Sequence, residues 1–239
     1  MSRPQTFAGV LGLVLALGIS TGATAQNAVL QAVAVQVQSG QLDTYLKRVK
    51  SLQGVMERVG GAGTLHAWRA TLAGQASGTV FVAIEYPSLA AYAESTSKVQ
   101  ADAEWQKLIA GLDDIRTVQS SGLYRSISGE AAEVTADSVL QTVSVRVKPG
   151  KLDTYVERVN ALRKVSDRLG VTSTTRIWRA TLAGDATGTV VVGLIHPSLA
   201  AYADNTTKMQ GDAEWQKLIA GLDDIRTIVS TGLARSVGP

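Results

Sequence analysis

Apolar and polar positions alternate from Val29 to Val37, with Val33, Val35 and Val37 on one side, which predicts a strand. Gly40 ends it. From Leu42 the period changes: Leu42, Tyr45, Leu46, Val49, Leu52, Val55, Met56 and Val59 recur at three- and four-residue spacing, one face of a helix. Gly60-Gly61 stops that helix. Two further strands, Thr64 to Leu72 and Thr79 to Tyr86, flank the turn-forming residues 73–78 and read as a hairpin. Ser88, after Pro87, is a good N-cap for a helix carrying Leu89, Tyr92 and Ala93. Asp102 can cap another segment, whose apolar stripe is Trp105, Leu108, Ile109 and Leu112. A last strand starts near Ile115 and runs past Leu123.

The whole pattern then repeats. Gln31 to Ile127 aligns with Gln141 to Val237 at a constant offset and without a gap, with roughly 60 of about 97 positions identical. The block from Asp102 to Thr117 recurs unchanged from Asp212 to Thr227, and Trp68 to Gly74 recurs at Trp178 to Gly184. Residues 128–137, small and polar, read as a linker between repeat 1 (26–127) and repeat 2 (138–239).

Each repeat has the order βαββαβ, the split unit of ferredoxin-like folds. Such a unit has helices on one face of an antiparallel sheet and needs a cover for the other, and two units in one chain can cover each other. The expected fold class is therefore α+β, with tandem ferredoxin-like repeats closing one barrel. The stretch from Thr79 to Tyr92, strand then Pro-Ser then helix, resembles the corresponding part of the dimeric α/β-barrel superfamily, which includes NIPSNAP-like and antibiotic-biosynthesis-monooxygenase-like proteins. The resemblance covers both repeats and implies a barrel built from two domains, often as a homodimer; the duplication would supply both halves here. It implies no particular activity.

Composition narrows the function classes. Hydrophobic residues make up 45% of the 239, enough for a core in each half. The start of the chain has the form of a secretory signal: Arg3, an apolar run from Phe7 to Ile19 too short to span a bilayer, then Ala23-Thr24-Ala25 as a cleavage pattern. Residues 1–25 are thus expected to be removed, placing the protein in the periplasm or outside the cell, with no membrane partner afterwards. The absence of cysteine excludes disulfides, thiol catalysis and iron–sulfur ligation. A net charge of +3, with both signs interspersed and no basic stripe, makes nucleic acid a poor partner. A small-molecule ligand and a homo-oligomer remain as candidate partners.

Candidate site residues come from the strands. Trp68 and Trp178 are followed by Arg69 and Arg179, and alternation puts Trp and Arg on opposite faces. Pairing of Trp68 with Val82 would turn the arginine into the barrel, where it could hold an anion; a one-residue slip would turn the tryptophan in instead. Packing and a structural ion pair are the plainer roles. His66 and Glu85 could face each other across the hairpin as a proton-transfer couple, or as a structural pair, in one register. The second repeat has Arg176 and Ile195 there. Some members of the resembled superfamily bind haem through a histidine. Neither His66 nor His196 lies in a ligating motif, so no metal or cofactor is expected, and each reads as an exposed or strand-end imidazole. Tyr45, Tyr155, Trp105 and Trp215 fall on apolar stripes and read as core. No nucleotide loop, zinc signature or catalytic triad pattern is present, and no catalytic residue is assigned.

Positions 66, 81, 83 and 85 carry His, Phe, Ala and Glu, whereas 176, 191, 193 and 195 carry Arg, Val, Gly and Ile. That difference predicts an asymmetric interior. The leading functional reading is an exported protein holding a small, partly apolar ligand between its sheets. The alternatives are a cofactor-independent, monooxygenase-like or isomerase-like enzyme, and a structural module. A buried carboxylate or imidazole favours the enzyme, an apolar cavity with Arg favours binding, and a filled interior favours the module.

Overall fold

The computed structural model describes residues 27–129 and 132–238; the expected signal segment, residues 1–25, lies outside the described residues. Repeat 1 consists of β1 (Val29–Val37), α1 (Leu42–Arg58), β2 (Thr64–Leu72), β3 (Val80–Tyr86), α2 (Leu89–Gln100), α3 (Ala103–Asp113) and β4 (Arg116–Gly129). Repeat 2 follows as β5 (Val139–Val147), α4 (Leu152–Arg168), β6 (Thr174–Leu182), β7 (Val190–His196), α5 (Leu199–Gln210), α6 (Ala213–Leu222) and β8 (Arg226–Gly238). Each β2–β3 and β6–β7 connection contains one 3₁₀ turn. It is framed by glycines at positive φ, Gly74 at 57° and Gly78 at 87° in repeat 1.

The strands close into one antiparallel barrel in the order β1-β3-β2-β8-β5-β7-β6-β4. Within each repeat the order is that of a ferredoxin-like sheet. The two seams between repeats are β2–β8 and β4–β6, each long last strand crossing to the other repeat. Closure leaves neither sheet with an apolar face bare. β4 runs on to Gly129, so the strand takes the first residues that the sequence pattern gives to the linker. Gly129 is needed where β4 passes β6: its φ is 116°, and a Cβ there would lie 2.5 Å from the Thr175 carbonyl oxygen and 2.8 Å from Arg176 Cα.

The helices pack on the outer face of the barrel. One core joins Val35, Tyr45, Val49, Leu52, Met56, Val80, Val82, Ile84 and Leu112, with Val33, Val37 and Trp105 against it. Its counterpart joins Val145, Tyr155, Val159, Leu162, Val190, Val192 and Leu222. The caps expected from sequence form: Ser88 Oγ accepts from the Ala91 N–H at 3.1 Å and Asp102 Oδ1 from the Trp105 N–H at 3.0 Å, as do Ser198 and Asp212 in repeat 2. Arg58 spans from α1 to Asp102 and Glu104, both at 3.0 Å, and fixes α3 against α1. Among the described residues no helix is long and apolar enough to cross a membrane.

Candidate functional site

Alternation decides what faces the barrel interior. In β3, Val80, Val82, Ile84 and Tyr86 face the helices, so Phe81, Ala83 and Glu85 face inward. β2 pairs with β3 as Thr64↔Glu85, His66↔Ala83 and Trp68↔Phe81. Trp68 therefore points inward with Phe81, and by the same register Trp178 points inward with Val191. Their neighbours Arg69 and Arg179 lie on the outer surface, exposed. Each stands opposite another exposed arginine across a seam, Arg235 and Arg125 respectively. The register that would have turned Arg69 and Arg179 inward does not occur: Leu65 pairs with Ile84 and Ala67 with Val82 on the helix side, and pairing Trp68 with Val82 would take Leu65 and Ala67 out of that core. The tryptophans take the inner face instead, and the arginines cannot reach a ligand inside the barrel.

The interior is hollow, with a cavity of about 330 Å³, at the lower end of the range for small-molecule sites. Trp68, Trp178, Phe81, Tyr124, Leu30 and Leu140 give it an apolar wall. Ala132 and Val134 of the linker border it as well, so the connection between repeats closes part of one end.

A charged cluster interrupts that wall. Arg176 of β6 reaches across the barrel to Glu85 of β3 and grips it with both terminal nitrogens, Nη2 to Oε1 at 2.6 Å and Nη1 to Oε2. The guanidinium also lies over the Trp178 ring, 4.5 Å from its centroid. Its side chain is 8% exposed and that of Glu85 25%. Removing one partner would leave a buried charge uncompensated, a loss of about 3–5 kcal/mol. The Arg176 Nε–H is buried without a hydrogen-bond partner. His66 lies on the same inner face, diagonal to Glu85 rather than opposite it. Burial lowers the basicity of its imidazole, Glu85 opposes this, and Arg176 lowers it further, so the ring is neutral at pH 7. The couple expected between His66 and Glu85 is thus reorganised: the partner of Glu85 is Arg176 from the other repeat. Sequence spacing could not show this, since the pair is 91 residues apart in the chain. The residue differences at 66/176 and 85/195 were the available signal.

His196 is not an exposed imidazole. It ends β7, but its side chain faces α5, is fully buried, and accepts from the Asn205 amide at Nδ1, 3.1 Å away. Neither imidazole fits an axial ligand to a haem. His196 is walled in, and His66 shares a cavity too small for a tetrapyrrole with an ion pair. Among the described residues no cluster of His, Asp and Glu could hold a metal ion.

A second, smaller cavity of about 220 Å³ lies between the sheet of repeat 1 and its helices, lined by Tyr45, Trp105, Gln31 and Arg116 among others. Tyr45 is core, as its stripe position predicts. Burial raises its hydroxyl above the usual phenol range, against an opposing effect of Arg116.

No protein-family model and no curated protein matches the sequence. Solved structures do match in shape. A presumed monooxygenase from Lactobacillus acidophilus NCFM superposes with a TM-score of 0.65 at 9% identity, over 88% of this chain and 93% of its own. An anthrone oxidase-like protein gives 0.55 at 13% identity, over 90% and 96%. A chlorite dismutase variant from Candidatus Nitrospira defluvii gives 0.54 at 9% identity, over 87% and 91%. At such identities the likeness concerns the fold and not the chemistry. Together with the strand order, it shows that this chain has the dimeric α/β-barrel fold, both halves supplied by its two tandem repeats.

Proposed function

We propose that the protein holds one small, largely apolar molecule inside its barrel, oriented by a single hydrogen-bond acceptor such as a carbonyl or phenolic oxygen. The observation that carries this reading is the hollow, largely apolar interior bordered by Arg176, whose terminal nitrogens hold Glu85 and whose Nε–H has no partner. Glu85 already neutralises Arg176, so a neutral acceptor suits the site better than a second carboxylate. A hollow barrel also argues against a purely structural module. The secretory pattern at residues 1–25 further supports action outside the cytoplasm. Export is tested by intact mass of the protein from its native host: a chain beginning at Gln26 is expected, and a retained Met1 would contradict it.

The binding test uses the cavity tryptophans as reporters. Menadione, a flat quinone, is expected to quench Trp fluorescence saturably in the full chain. The double substitution Arg176→Met with Glu85→Gln removes the donor without stranding a charge. It should weaken menadione about tenfold, the worth of one hydrogen bond from a charged group. N-phenyl-1-naphthylamine has no carbonyl and should bind the double variant as it binds the wild type. Arg69→Ala and Arg179→Ala should leave both affinities unchanged, since these side chains lie outside. Absence of saturable binding of either compound would overturn the reading.

The presence of a neutral imidazole in the same cavity favours a second reading, a cofactor-independent enzyme in which His66 accepts a proton from a bound hydroxyl. The anthrone oxidase-like neighbour makes an anthrone the compound to try. Oxygen uptake when an anthrone replaces menadione, lost in His66→Gln, would move the site to that reading.

A further inference from the structure

The two repeats differ at a position on the cavity wall. Tyr124 on β4 aligns with Ala234 on β8, and both border the cavity. On the Tyr124 side the space beside Gly122 is filled. A Cβ at Gly122 would lie 2.9 Å from the Ala183 Cβ, 3.0 Å from Tyr124 Cε2 and 3.3 Å from the Tyr124 hydroxyl. The phenol ring therefore lies across the gap between β4 and the turn after β6. Ala183, Ala186, Ser120 and Ser121 do not reach the cavity there.

At the equivalent place in the other half, the cavity reaches that gap. Ala73 and Ala76 of the turn after β2 border the cavity, and so do Ser230, Thr231 and Gly232 of β8. A Cβ at Gly232 would meet Thr142 Oγ1 at 3.2 Å and the Ala73 Cβ at 3.5 Å, with no aromatic ring among its nearest neighbours. Ala70 and Ala234 continue the same narrow, small-residue wall inward.

Resting on the binding site proposed above, we infer that the cavity has one mouth, at the β2–β8 seam beside Ala234, and that Tyr124 plugs its symmetry mate at the β4–β6 seam. The side chains at 124 and 234 then select the ligand. A mouth walled by alanines and glycine passes a flat neutral ring edge-on and rejects branched or bulky molecules. Its direction also fixes orientation, since the acceptor end of an incoming molecule must travel inward to reach Arg176.

Stopped-flow fluorescence with N-phenyl-1-naphthylamine tests this in the full chain. Ala234→Tyr should slow association at least tenfold. Tyr124→Ala should speed both association and dissociation severalfold by opening the second mouth. The double variant, Ala234→Tyr with Tyr124→Ala, should recover an association rate near that of the wild type. That rescue separates a gate from simple filling of the cavity, which the second substitution would not reverse in rate. If Ala234→Tyr does not fold, the faster dissociation expected of Tyr124→Ala carries the test alone. Unchanged rates in folded variants, with binding intact, overturn the single mouth while leaving the site. No binding of the naphthylamine by the wild type overturns both.

Discussion

A single exchange shows how a duplicated core absorbs a titratable group. In repeat 1, Tyr86 packs edge-on against Tyr92, centroids 5.2 Å apart, and its hydroxyl lies 3.5 Å from Gln31 Oε1. In repeat 2, His196 takes the place of that tyrosine against Tyr202, at 5.3 Å and nearly the same angle. Asn205 replaces Ser95 and donates to His196 Nδ1. Its Oδ1 accepts from the Thr172 N–H at 3.2 Å, which fixes the amide orientation. His196 Nε2 and Gln141 Oε1 are left buried without partners. Burial pushes the His196 imidazole down to about 4, whereas an unfolded chain titrates near 6.5. Between those values the unfolded state binds a proton that the folded state refuses, so stability falls as pH drops from 6.5 to 4, by up to about 3 kcal/mol. Converting repeat 2 to the repeat 1 pair, His196→Tyr with Asn205→Ser, removes that linkage and offers Gln141 a donor. Urea midpoints of the wild type should therefore fall more steeply over this window than those of the double variant. Parallel pH profiles would show that His196 protonates without cost. The sequence marked position 196 as a departure from Tyr86; that it faces a helix and not solvent depends on the register of β7, which periodicity leaves open by one residue.

At the level of elements, helices and strands were legible almost to the residue because caps, glycines and apolar stripes agree with one another. The strand Thr64 to Leu72 and the cap at Asp102 are examples. What could not be read was which face of β2 turns inward. Trp68 and Arg69 are both acceptable on either side of a strand, and the choice rests on Leu65 and Ala67 pairing with Ile84 and Val82 on the helix side. The Glu85–Arg176 pair was hidden for another reason, since it joins strands of different repeats through the closed barrel. Local patterns carry no information about a contact of that kind.

The arrangement of the whole molecule sets a test of the duplication. Residues 26–129 expressed alone would present β2 and the end of β4 as free edges with an apolar inner face, and should pair with a second copy. Such a homodimer would place His66 where Arg176 stands in the full chain, leaving two Glu85 carboxylates without guanidinium partners. Its association, measured by sedimentation, should therefore strengthen when His66→Arg restores the guanidinium. A stable monomer, or a dimer indifferent to that substitution, would contradict the seam assignments. The full chain escapes this conflict because its repeats have diverged on the inner face while keeping the outer core. The same divergence yields one cavity with one polar end, whereas Tyr45, Trp105 and Arg116 and their counterparts Tyr155, Trp215 and Arg226 are identical in the two copies.

Stoichiometry separates these two kinds of site. The menadione titration, read for the number of molecules bound per chain and repeated with Arg176→Met/Glu85→Gln, should give one site, weakened by that variant. Two equivalent sites per chain, or one indifferent to the variant, would place the ligand between sheet and helices and contradict the barrel site.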